Sequence, residues 1–193
     1  MPSQSAETVT LRTTKKTEFF KMSTNETIIK KINIKIKSLI TDLENSEINP
    51  MAQKGCAPFV DNLPEGDDIS ECIEFSTDGT LTIKGNVAEI TYKENEELGM
   101  ADIESTLRFK INRPTMINLI RRGAAPASLM FDTEFPRRNC TYCIGNMPFS
   151  FCICTNNVVN RFSETYGKIV LDYDIEMHGV RTEHNVFSLE FKE

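Results

Sequence analysis

Large apolar residues fall on every second position in short runs from Ile32 to Phe191, and Gly, Asp, Asn or Pro separate the runs. The clearest run sets Ile169, Leu171, Tyr173, Ile175 and Met177 against Val170, Asp172, Asp174 and Glu176. Successive side chains of a strand point to opposite faces, so a period of two predicts one buried and one wet face. Runs of this kind cover 30–39, 73–75, 81–83, 87–94, 103–111, 116–122, 128–132, 139–144, 149–155, 158–162, 168–177 and 185–191. Asp78-Gly79, Gly145 to Pro148 and His178-Gly179 read as hairpin turns, and Pro114 as a strand end. With almost no helical period between them, about ten strands with short links predict an all-β chain in meander order. Closure removes the edges that long strands otherwise expose, so the expectation is a single antiparallel barrel of about eight to ten strands.

Two stretches fall outside the pattern. Residues 1–28 are rich in Ser, Thr, Lys and Glu and read as a disordered tail, with Met22 as an alternative start. The barrel domain is then 29–193, interrupted at 42–68 by a stretch holding Pro50, Pro58 and Pro64. A loop of that length is usually functional or disordered, and the reading leaves open a lid and a tolerated insertion.

Composition narrows the classes of function. A chain of 193 residues with 39% hydrophobic and 26% charged residues suits one soluble domain. It has no apolar stretch of bilayer length and no secretory signal, so no membrane span is expected and the cytoplasm is the expected location. A formal charge of −6 argues against broad nucleic-acid binding. The one dense basic group, Lys30, Lys31, Lys35 and Lys37, reads as protection of a sheet edge or a solvent face before a polyanion site. The six cysteines read as reduced thiols.

Candidate chemistry is sparse. Cys140, Cys143, Cys152 and Cys154 have the close spacing of a zinc set, but a hairpin with a two- or four-residue loop turns Cys140 to the opposite face from the other three. No metal site and no stoichiometric zinc are therefore expected. Arg121 and Arg122 end a strand at Gly123, so one points to each face. The inward one serves either as a clamp for a carboxylate or phosphate, or as the partner of a strand carboxylate such as Glu94 at the barrel mouth. His178 and His184 have no catalytic partner at a known spacing, and no phosphate-cradling loop or nucleophile elbow is present. No enzyme and no cofactor are expected.

The order of several short segments carries a resemblance. They are Ile73 to Gly79, Ile90 to Glu94 with Leu98-Gly99-Met100, Arg121-Arg122-Gly123, Ser128 to Phe131, Tyr142, and Gly167 through Tyr173 to Asn185. In these the chain resembles the YwiB-like family of small uncharacterised bacterial proteins, over roughly residues 30 to 193. The resemblance implies a calycin or lipocalin-like barrel and supplies no activity. The leading functional expectation is a cytosolic protein that binds a small, partly apolar ligand, with Tyr92, Glu94, Arg121, Arg122, Tyr142 and Tyr173 as candidate lining residues. The alternative is a protein-interaction module that uses its outer surface or the 42–68 loop to hold a protein partner or a second copy.

Overall fold

The alternation becomes ten strands in the computed structural model, which describes residues 27–43, 71–95, 102–144 and 147–193. They are β1 (Thr27–Asp42), β2 (Glu71–Lys84), β3 (Val87–Lys93), β4 (Glu104–Lys110), β5 (Arg113–Arg122), β6 (Ala127–Asp132), β7 (Arg137–Ile144), β8 (Met147–Phe162), β9 (Tyr166–Met177) and β10 (Val180–Lys192). Each pairs antiparallel with the next, and β1 also pairs with β10, Ile34 opposite Phe191 and Ile36 opposite Leu189. The ladder thus closes into an up-and-down barrel. Among the described residues no helix is long and apolar enough to cross a membrane.

Ile32, Ile34 and Ile36 of β1, Leu81 and Ile83 of β2, and Ile169 and Leu171 of β9 turn inward and are at most 2% exposed. They join Phe109, Ile117, Phe131, Ile153, Leu189 and Phe191 in one core cluster. Phe109, Phe162 and Phe191 form an aromatic chain across the interior, with ring centroids 5.2 and 6.1 Å apart. The body of the barrel is therefore packed with side chains. β9 buries both faces, because outward-facing Val170 packs with Leu39 and Val186 in a smaller cluster.

Several expectations about elements give way. Asp78-Gly79 is not a turn: β2 runs through it, and the chain reverses instead at Gly85-Asn86. Gly79 is needed for closeness, because a Cβ there would fall inside the envelope of Ile34 Cδ1 and lie 2.8 Å from the Thr91 carbonyl oxygen. Pro114 does not end a strand but lies within β5, at a position paired with neither β4 nor β6. The runs 149–155 and 158–162 are one strand, β8, with a bulge between Thr155 and Asn157. The turn at His178-Gly179 forms as expected, both residues having positive φ (53° and 82°), as a two-residue type I′ turn requires. Because β1 is paired on both sides, its lysines guard no edge; Lys35 meets Glu74 at 2.8 Å and Lys30 meets Glu193 at 2.9 Å. β1 begins at Thr27, within the stretch read as a tail, while residues 1–26 and 44–70 lie outside the described residues.

Candidate functional site

Strand register sets one inward row near the mouth where β3, β5 and β7 end. Residues directly opposite in an antiparallel pair share a face. Tyr92 of β3 lies opposite Ser105 of β4, Ser105 opposite Arg121 of β5, Arg121 opposite Ala127 of β6, and Ala127 opposite Tyr142 of β7. Tyr92 is 3% exposed, so the row faces the barrel interior. Parity along β5 says the same, since Ile117, Leu119 and Arg121 alternate with Asn118 and Ile120. Arg122 points outward and lies 3.7 Å from Glu104 on the surface.

Glu94 follows Tyr92 by two residues and continues its face. Its carboxylate, 5% exposed, accepts a 2.5 Å hydrogen bond from the Ser105 hydroxyl and lies 3.4 Å from Arg121 Nε. That approach is an ion pair without hydrogen-bond alignment, for Nε is buried and makes no hydrogen bond. The Arg121 side chain is 26% exposed. Burial, reinforced by the Glu94 charge, holds the Tyr92 phenol far above the ordinary tyrosine range, against the opposing effects of Arg121 and a hydrogen bond with Ser105. Burial likewise pushes Tyr173 up to about 12, again against the pull of Arg121. Tyr173 closes the group from β9, its ring 4.8 Å from that of Phe131.

Five of the six sequence candidates thus share the interior side of one mouth: Tyr92, Glu94, Arg121, Tyr142 and Tyr173. Arg122 does not. The Arg121–Glu94 pairing matches one of the two roles the sequence offered. Ser105, which ties Glu94 to Tyr92, is not among the sequence candidates; its signal is its place two residues before the apolar Leu107. The 42–68 insertion lies, from residue 44 onward, outside the described residues. The hairpin cysteines separate as the two-residue link between Ile144 and Met147 dictates: Cys140 enters the core, and Cys143, Cys152 and Cys154 project outward.

Fold and mouth together define a closed antiparallel meander barrel of the calycin, lipocalin-like class, with a packed body and a charged, tyrosine-lined opening. The chain belongs to the family described as a domain of unknown function, DUF1934, whose model matches residues 62–189. It is also similar in fold to the crystal structure of ywiB protein from Bacillus subtilis, at 18% identity and a TM-score of 0.61, over 85% of this chain and 92% of that one. No curated protein matches it.

Proposed function

We propose that this protein is a cytosolic binding protein whose Arg121 mouth takes a small, partly apolar molecule bearing a carboxylate. The observation that carries the reading is an inward arginine at the mouth, 26% exposed, whose buried Nε faces Glu94 without a hydrogen bond. A guanidinium offers five N–H donors in a planar fork, so a ligand carboxylate can take the outer edge while Glu94 keeps the inner one. The apolar part of the ligand would lie against Ala127, Tyr142 and Phe149, which is opposite Tyr142 and 39% exposed. The packed core keeps the ligand at the mouth rather than deep in the barrel. On this reading the mouth binds its ligand through Arg121, while Glu94 stays engaged by Ser105 and Arg121.

The test is a thermal-shift screen of amphipathic carboxylates, aliphatic and aromatic, with native mass spectrometry of the stabilising compounds. Wild type and Arg122→Gln should be stabilised alike, and Arg121→Gln should lose the shift. No stabilising carboxylate, or equal stabilisation of Arg121→Gln, would count against the reading.

A further inference from the structure

The outer wall of the barrel holds a second group of side chains that the mouth does not use. On β8, Cys152 and Cys154 flank inward-facing Ile153 and so project together to the outside. On neighbouring β9, Glu176 stands opposite Cys152 and Asp174 opposite Cys154. The two sulfurs and a Glu176 carboxylate oxygen all lie within 4.8 Å of one another. Cys154 is 7% exposed and Glu176 5%, while Cys152 is only partly covered. From β7, Arg137 Nη2 lies 2.6 Å from Glu176 Oε2 and Nη1 donates to Oε1 at 3.2 Å; from β10, Arg181 Nε is 3.8 Å from Oε1.

We propose that Cys152, Cys154 and Glu176 bind a thiophilic divalent cation of the zinc class. Two thiolates and a carboxylate are a donor set for such an ion; magnesium and calcium require oxygen donors throughout. Tetrahedral coordination with metal–sulfur bonds of about 2.3 Å and metal–oxygen bonds of about 2.1 Å spaces the donor atoms roughly 3.5–3.8 Å apart. The observed spread closes to that by side-chain rotation. The fourth position opens to solvent beside Cys152 and takes water. Arg137, whose side chain is 65% exposed, can keep one carboxylate oxygen while the other binds metal, the place of an outer-shell partner. The three ligands bring three negative charges to a dication, and Arg137 and Arg181 offset the excess.

Coordination by both thiols exchanges two S–H bonds for two S–metal bonds and releases both protons to solvent, with no change in oxidation state. This set is not the four-cysteine set considered from the sequence: Cys140 and Cys143 take no part, and the third ligand comes from another strand.

The experiment is an anaerobic titration of the reduced full chain with Co(II), read by its thiolate-to-metal charge-transfer absorption, followed by displacement with Zn(II). The expected result is one equivalent bound at micromolar or tighter affinity and displaced by zinc. Cys56→Ser/Cys72→Ser/Cys143→Ser should retain the band. Cys152→Ser and Cys154→Ser should each weaken binding at least 100-fold, and Glu176→Gln about tenfold, with circular dichroism confirming the folded barrel. Absence of the band in wild type overturns the proposal without recourse to any variant. So does its persistence in Cys152→Ser/Cys154→Ser, or its loss in the triple variant.

Discussion

Removing either partner of the Glu94–Arg121 pair should destabilise the barrel by unequal amounts, because the two leave different charges behind. Glu94 is 5% exposed and Arg121 26%. Arg121→Met keeps a long apolar stem but strands a carboxylate whose remaining partner among the described residues is the Ser105 hydroxyl, 2.5 Å away. Breaking a buried pair so that one charge stays uncompensated costs about 3–5 kcal/mol, and the Ser105 bond places this case near the lower end, at ~3 kcal/mol. Glu94→Gln leaves a guanidinium that reaches water, and the new amide oxygen still accepts from Ser105. Its loss should be smaller, about 1–2 kcal/mol, because partial exposure screens the stranded charge.

The sharper expectation concerns Arg121→Met/Glu94→Gln. With no charge left at the site, the double variant should be more stable than Arg121→Met alone by about 1–2 kcal/mol, although it carries the additional substitution. Urea unfolding followed by far-ultraviolet circular dichroism measures all four chains, and an unchanged m-value confirms that the comparison is one of stability. For a chain of this size the Arg121→Met loss corresponds to a fall in Tm of roughly 6–12 °C. Equal losses in the two single variants, or a double variant less stable than Arg121→Met, would refute the reasoning.

Three other perturbations follow from single contacts. Gly167 lies opposite Phe191, and a Cβ there would overlap Cε1 of that ring and stand 2.6 Å from Cζ; Gly167→Ala should cost about 1–3 kcal/mol in wild type and clearly less beside Phe191→Leu, as a double-mutant cycle in urea will show. His184 is raised above 6.5 first by its hydrogen bond to Asp174 and then, despite burial, by the charges of Asp172 and Asp174 against that of Arg181. Its stabilising effect is complete below about pH 6.5 and is lost as pH rises through the higher folded value, a slope that His184→Gln should flatten in unfolding curves between about pH 5.5 and 8.5. Asp132 is pushed up by burial, but the backbone N–H groups of Glu134 and Phe135 and the guanidinium of Arg138 outweigh this and leave it below 3.8. That stabilisation is present above the unfolded value and disappears as pH falls through the folded one, so wild type should lose its advantage over Asp132→Asn in acid titrations below about pH 4.

The alternation made the barrel legible because each inward position is chosen by a local parity that no distant residue alters. Ile117, Leu119 and Arg121 show it: Asn118 marks the wet face, and the arginine two places after Leu119 has to turn inward. Parity failed where a distant strand decides the local conformation. Asp78-Gly79 has the composition of a turn, yet the requirement for glycine comes from Ile34 on β1, which no window around residue 79 contains. In the sequence Pro114 reads as a stop because its missing N–H breaks a ladder, but neither neighbour pairs with it and no ladder bond is lost. For the site, the facing of Arg121 and of the hairpin cysteines could be read locally. The partnership of Ser105 with Glu94, and of Glu176 with Cys152, required the register of pairs of strands.

Register also explains how one wall of this barrel carries two different groups of polar side chains. β9 sends Tyr173 inward toward Phe131 and the Arg121 mouth, and sends Asp174 and Glu176 outward toward His184, Arg181 and the β8 cysteines. An ordinary barrel strand leaves its outer face wet, but here Asp174 and Glu176 are 3% and 5% exposed. Buried carboxylates need compensating partners, and β7 and β10 provide them as Arg137, Arg181 and His184. The bulge between Thr155 and Asn157 fixes which outward residues of β8 meet them. Without that extra residue, the parity linking the two ends of β8 would shift by one. Either the cysteines would then face the core, or Val158 would leave it. A single inserted position thus keeps Ile153 and Val158 both in the core while setting Cys152 and Cys154 beside Glu176 on the outside.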